Sequence, residues 1–364
     1  MTVPDYTAQL ADKTRYFQDL LQPFAAPAPQ VFPSPPCHYR MRAEFRIWHE
    51  GDNVRYAMFE RGEKAGRHSV VFVDEFPAAS ESINRMMPQL LEAMCEQEIL
   101  RERWYQCEFL STLSGEMLIS LIYHKKLDEQ WEAAARALQT RLGLFLIGRS
   151  KGQKIVLAQD FVTETLQVDG ETFRYCQPEG GFTQPNARIC EQMLAWACGC
   201  AADGGGGDLL ELYCGNGNFT LPLARHFRQV LATEVSKTSV RAAQQNIADN
   251  GADNIRLARL SAEEFAEAFS GSRVFRRLVE QGIDLADYAF STVFVDPPRA
   301  GIDAATLKLM AGFEQIIYVS CNPQTLRDNL ATLTQTHEIV RTALFDQFPF
   351  TPHIESGVWL RKRK

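Results

Sequence analysis

Glu211-Leu212-Tyr213-Cys214-Gly215-Asn216-Gly217-Asn218-Phe219 is the stretch whose reading decides the fold. It completes DLLELY (208–213), an apolar run that reads as a buried strand, and leads into a helical segment at Leu221–Phe227. Glycines directly after a strand let the backbone approach a ligand closely. In a dinucleotide fingerprint a third glycine would follow at position 220, where this chain has Thr220, so no pyrophosphate cradle is required.

Outward from this turn the same rhythm repeats. QVLATE (229–234) reads as a strand and Ser239–Asn250 as a helix; Ile255–Leu260 is strand-like and Ala262–Phe269 helical. TVFV (292–295) is a strand ending at Asp296-Pro297-Pro298, followed by a helix at Ala304–Gly312, a strand at Gln315–Ser320 and a helix at Pro323–Thr334. Alternation of this kind implies a parallel, doubly wound sheet. The last two strands, near Glu338–Asp346 and Ser356–Arg361, are joined by a loop too short for a crossover helix, so they form a hairpin with an antiparallel member. A Rossmann-like parallel sheet ending in such a hairpin is, by fold-level analogy, the α/β architecture of S-adenosylmethionine (SAM)-dependent methyltransferases. Ser272–Tyr288 reads as a helical insertion and Asp203–Gly207 as a flexible connector before the first strand. Residues 1–180 show no strand–helix rhythm and read as a separate α+β domain, leaving 181–364 as the cofactor-binding domain.

Composition is that of a globular protein: 364 residues, 45% hydrophobic and 23% charged. No apolar run reaches membrane-spanning length, and Met1–Phe17 lacks the pattern of a secretion signal, so a cytoplasmic location is expected. The nine cysteines include no CxxC pair, and Cys198-Gly199-Cys200 is too isolated to hold zinc or an iron–sulfur cluster, so reduced thiols and no metal cluster are expected. A net charge of −7 requires that any nucleic-acid contact come from locally concentrated basic residues. The basic tail Arg361–Lys364 reads as a solvated end.

The candidate site residues stand at strand ends. Glu234 ends the second strand, where an acid can accept both ribose hydroxyls, and Asp296 ends the fourth at the rim where ligands bind. Cys321 closes the apolar strand Ile316–Val319; Asn322 suits a helix N-cap and Pro323 the first helical position. The positive end of that helix favours a thiolate. A thiolate adding to carbon 6 of uracil makes carbon 5 nucleophilic enough to accept a methyl group, after which a base must remove the carbon 5 proton. Glu355, just before the last strand in His353-Ile354-Glu355-Ser356-Gly357, is the candidate base.

Taken together, HYRMRAEFRIWH (38–49), FPAAS (76–80), YHKKLD (123–128), FTQPN (182–186), LLELYCGNGNF (209–219), VDPPRAG (295–301), SCNPQTL (320–326) and FDQFPFTPHIESGV (345–358) closely resemble the bacterial tRNA (uracil-5-)-methyltransferases. The resemblance covers essentially the whole chain. It implies methylation of uridine 54 in the tRNA T-loop, with other T-loop-like RNAs such as tmRNA as further partners. It also implies that Cys321 is the nucleophile, that Glu355 is the proton-abstracting base, and that Gln184, Tyr213, Asn218, Glu234 and Asp296 line the SAM site, Asp296 near the target base. On this reading residues 1–180 bind RNA.

For that grip, Arg40, Arg42, Glu44, Arg46 and Trp48 fall on one face of a strand, where arginines can hold phosphates and Trp48 can stack a base. His124-Lys125-Lys126 and Arg149-Ser150-Lys151 are further basic candidates. The target base must leave the loop's stack to reach Cys321. Competing readings are a ribosomal-RNA sister enzyme, a methyltransferase acting on an exocyclic amine through Asp296-Pro297-Pro298-Arg299, and a non-catalytic RNA-binding or folding factor. The first is disfavoured by the missing cluster cysteines, while the other two would dispense with Cys321. Thr220 counts against a nicotinamide oxidoreductase.

Overall fold

The computed structural model describes residues 5–59 and 69–364. They form two compact units, one of residues up to Pro36, Leu166–Cys176 and Arg188–Lys364, the other of Cys37–Thr165 and Gln177–Ala187.

Among the described residues, the first unit is built on eight strands: β1 (Gln30–Phe32), β2 (Asp208–Leu212), β3 (Gln229–Thr233), β4 (Ile255–Ala258), β5 (Phe290–Val295), β6 (Gln315–Ser320), β7 (His337–Phe345) and β8 (Glu355–Lys362). Their spatial order is β1-β7-β8-β6-β5-β2-β3-β4. All neighbouring pairs are parallel except those of β8, which inserts antiparallel between β6 and β7, so the expected terminal hairpin is present. Every residue of β2 and of β6 is buried, which is why both read as apolar runs rather than alternating ones. Local chemistry starts the covering helices: Ser236 caps Lys237–Asp249, Ser261 with Glu264 forms a capping box on Ala262–Phe269, Asp303 caps Ala304–Met310, and Asn322 caps Pro323–Leu333. Each cap contributes about 1 kcal/mol.

The single boundary expected near residue 180 does not describe this chain. The helix Tyr6–Leu21 and β1 belong to the unit of the parallel sheet. Phe17 and Leu21 are buried in one core with Leu210, Val293 and Tyr318, and β1 pairs with β7 through Gln30–Ala343 to Phe32–Phe345. A three-residue strand has no readable period, so the sequence carried no sign of this docking. The 272–288 insertion is helical only at Arg276–Glu280 and in one turn at Leu285–Asp287; Phe275, Leu278 and Ile283 anchor it.

The second unit is α+β, as its sequence suggested. Its seven described strands run in the order Val70–Phe72, Asn53–Phe59, Arg42–Glu50, Trp104–Ser111, Met117–Tyr123, Phe145–Ser150 and Gln153–Val156. Only Met117–Tyr123 with Phe145–Ser150 is a parallel pair. The helices Glu81–Cys95 and Glu129–Leu142 supply Met87, Leu90 and Trp131 to its core. The expected alternation is present: Met41, Ala43, Phe45 and Ile47 are buried while Arg42, Glu44, Arg46 and Trp48 face outward to varying degrees.

Candidate active site

Strand register gathers the candidate residues on one rim of the sheet. Leu212 pairs with Thr233 on one side and Val295 on the other, and Val295 pairs with Tyr318. Tyr213, Glu234 and Asp296 are each the next residue past those aligned positions. Across the antiparallel pair, Ser320 faces Ser356 and the Ser356 hydroxyl donates to the Ser320 carbonyl at 3.0 Å. Cys321 and Glu355 are the next residues beyond that last pair, near enough for the Glu355 carboxyl to act on the Cys321 thiol.

Electrostatics follow from this crowding. Glu355 is only 7% exposed. Burial, reinforced by Asp296, pushes its carboxyl well above the usual range, while Arg299 pulls the other way. Burial likewise raises the carboxyl of Asp296, although the residue as a whole keeps some solvent contact. The Cys321 thiol is pushed up to about 11 by burial, then by Glu355 and Asp296, against the opposing pull of Arg299. The expectation that the helix end makes Cys321 a resting thiolate is therefore overturned. Asn322 does cap the helix, accepting from the Gln324 N–H at 3.1 Å, but burial and two acidic neighbours outweigh it. The Asn322 amide also donates to the Arg299 carbonyl at 3.0 Å, tying the Asp296-Pro297-Pro298-Arg299 loop to the cysteine.

The glycine turn is shaped for a ligand. Tyr213, Gly215 and Gly217 all have positive φ, and a Cβ at Gly217 would lie 3.7 Å from Ala243. Glu234 accepts from the N–H groups of Gly215, Val235 and Ser236 at 2.7–3.1 Å, which braces the turn and leaves acceptor capacity on Oε2. The Asn218 side-chain amide donates to Cys190 Sγ at 3.2 Å, and the main-chain carbonyl of Asn218 accepts from Tyr175 Oη at 2.9 Å. Beneath the turn lies a residue that sequence reasoning missed. Glu211 is 1% exposed and its carboxyl is raised to about 8 chiefly by burial, with the neighbouring Thr220 hydroxyl pulling the other way. SAM carries an ammonium and two ribose hydroxyls, and the strand-end carboxylate of Glu234 beside the glycine turn offers an acceptor that fits them. Gln184 lies in the second unit.

In the second unit the arginine face is only partly free. Arg40 donates to the Arg42 carbonyl at 2.7 Å and Arg42 to the Gly181 carbonyl at 2.9 Å, with burial lowering the Arg42 pKa. Arg46 instead lies 4.2 Å over the ring of Tyr105, which stacks on His124 at 3.8 Å. Trp48 meets the edge of Phe72 at 6.3 Å. Tyr105 had no signal in the sequence, because only strand pairing brings it to Arg46. His124, Lys125, Lys126 and Lys151 line one concavity of about 590 Å³, uniting two basic segments that are separate in the sequence. All nine cysteines are free thiols. Among the described residues no helix is long and apolar enough to cross a membrane, and no group of three or more His, Cys, Asp or Glu is placed to hold a metal ion.

Residues 5–363 match the family model for tRNA (uracil-5-)-methyltransferase. A tRNA/tmRNA (uracil-C(5))-methyltransferase of Neisseria meningitidis serogroup A is 64% identical over 359 residues, covering 99% of each chain. One of the same name from Acinetobacter baylyi is 57% identical over 355 residues, 98% of each chain. Among solved structures, the tRNA (uracil-54, C5)-methyltransferase of Pyrococcus abyssi in complex with S-adenosyl-L-homocysteine superposes with a TM-score of 0.73 at 20% identity, covering 98% of this chain and 83% of that one. At that identity it supports the fold alone.

Proposed function

Because the chain belongs to the tRNA (uracil-5-)-methyltransferase family, we propose that Cys321 is the nucleophile and Glu355 the proton-abstracting base in SAM-dependent methylation of carbon 5 of uridine 54 in the tRNA T-loop. The relatives' name extends the substrate class to tmRNA. The observation that supports the assignment is the antiparallel register of β6 and β8, whose last pair, Ser320–Ser356, leaves Cys321 and the buried Glu355 at adjoining strand ends.

Bound SAM supplies an electrophilic methyl group and leaves as the neutral thioether. By the family resemblance Gln184, Tyr213, Asn218, Glu234 and Asp296 would hold it, and Glu211 supports the turn from below. Cys321 gives its proton to solvent as Sγ bonds to carbon 6, which places the electron pair of the C5–C6 double bond at carbon 5 for the methyl group. Glu355 then takes the carbon 5 proton, the double bond re-forms and Sγ departs as thiolate. The upward shift suits this role, since a more basic carboxylate captures a carbon-bound proton more effectively than an ordinary one. The second unit grips the T-arm, with Arg46, Tyr105 and His124 offering charge and ring faces. The site of this work is the cytoplasm.

The test is tRNA transcribed with 5-fluorouridine, mixed with protein and SAM and run on a denaturing gel beside a ribosomal-RNA fragment. Fluorine cannot leave as a proton, so the Cys321 adduct freezes after methyl transfer. A SAM-dependent band specific to tRNA is expected. A band with ribosomal RNA alone, or none, would overturn the reading.

A further inference from the structure

The chemistry above makes no use of the N-terminal helix Tyr6–Leu21, yet that helix is fastened to both segments that carry the reacting side chains. Phe17 and Leu21 anchor it in the core of the sheet. A neighbouring face presents Tyr6, Gln9, Lys13 and Tyr16, which share one side of a helix by their spacing. Lys13, 6% exposed, donates from Nζ to Asp346 Oδ1 at 2.6 Å and to the Phe348 carbonyl at 3.0 Å; Asp346 is fully buried. Gln9 accepts from the Phe350 N–H at 2.7 Å, and the rings of Tyr6 and Phe350 meet edge-on at 5.8 Å. Tyr16 Oη accepts from Gln324, in the first turn after Cys321.

These contacts converge on one loop. Phe345 and Glu355 are directly paired across β7 and β8, so residues 346–354 form the closed loop that delivers Glu355 to the rim. Asp346 is the first residue of that loop, Phe348 lies within it, and Phe350 has a left-handed φ of 61°. A buried ion pair is weak evidence for stability, because an apolar pair of similar volume is often as stable. What Lys13 provides that an apolar residue does not is direction: two hydrogen bonds aimed at successive points of a single loop.

We infer that Lys13 is a positioning residue for proton removal. By holding Asp346 and the Phe348 carbonyl it fixes where Glu355 stands relative to the base attached to Cys321. The inference rests on the reading of Glu355 as the base.

The experiment compares full-length wild type, the double variant Lys13→Met/Asp346→Leu, Gln9→Ala and Glu355→Gln. Each is mixed with unmodified tRNA transcript and methyl-labelled SAM. Denaturing gels follow the rise of the methylated covalent complex and its decay to free methylated tRNA, with SAM affinity and melting measured alongside. The double variant leaves no unpaired buried charge and is expected to melt as a folded protein, bind SAM as wild type does and form the complex at a near-normal rate. Its complex should decay about 10- to 100-fold more slowly, the scale expected of a displaced catalytic group. Gln9→Ala, which removes only the Phe350 tether, should slow the same step less, and it keeps the test open should the double variant fail to fold. Decay at the wild-type rate in both, or equal losses in formation and decay, would overturn the positioning role while leaving Glu355 as the base if Glu355→Gln accumulates complex. Failure of Glu355→Gln to accumulate it would overturn the base assignment and the role of Lys13 with it.

Discussion

Alkylation of Cys321 separates two opposing physical expectations. A cysteine at a helix N-terminus should be an activated thiolate, whereas the folded site raises its pKa from 9.0 to about 11. At pH 7.5 that change lowers the thiolate fraction from ~3% to ~0.03%, about a hundredfold, and reaction with iodoacetamide should slow by about tenfold, because the more basic thiolate is also the more nucleophilic. The assay is labelling of the free protein without SAM or RNA, read by peptide mass spectrometry, with a simple thiol in the same tube as reference. The sign follows from which form reacts: the thiolate becomes more abundant with pH, so the rate should rise about tenfold per pH unit through the whole working range without a plateau. Glu355→Gln removes the second cause of the shift and should speed labelling, but by less than the full factor, because burial is the larger cause. A Cys321 that reacts as fast as the reference thiol, or whose rate levels off below pH 9, would refute the reasoning and reinstate the helix end as the dominant influence. If the slow rate is found, activation of the nucleophile belongs to the RNA-bound state, in which the incoming RNA rearranges the charges around Sγ.

Further outcomes follow from the same geometry. Cys321→Ala should abolish turnover and the covalent complex while SAM still binds, checked by calorimetry; loss of SAM binding in a folded variant would contradict its role. Glu211→Gln should stabilise the SAM-free protein and weaken SAM binding. Because the folded protein holds the Glu211 proton more tightly than the unfolded chain, the group's contribution is full below about 4.5 and is lost as pH rises to about 8, so the melting advantage of the variant should grow across that window. Lys13→Met alone strands the buried Asp346 carboxylate and should cost about 3–5 kcal/mol in denaturant unfolding, with most of the loss recovered in the double variant. Gly357→Ala would set a Cβ 2.7 Å from the buried ring of Trp196 and should cost about 1–3 kcal/mol by overpacking.

Much of the catalytic unit was legible in the sequence because its signals are local. Apolar runs of strand length, capping residues at helix starts and the glycine pair after DLLELY act over a few residues, and they located β2 to β8, the rim and the strand-end positions of Glu234, Asp296 and Cys321. Other features depend on residues that meet only when the chain folds. The helix Tyr6–Leu21 reads as any amphipathic helix until Lys13 meets Asp346, more than three hundred positions away. Arg46 becomes part of a ring stack only when strand pairing brings Tyr105 and His124 beside it. The protonation of Cys321 is the sharpest case. Its local sequence argues for a thiolate, but the antiparallel strand ends bring Glu355 near it, the neighbouring strand end adds Asp296, and partial burial disfavours the charged form. Helix caps and turns are decided within one turn of chain; the charge state of a site is decided by everything within several ångströms, and only the tertiary structure chooses those neighbours.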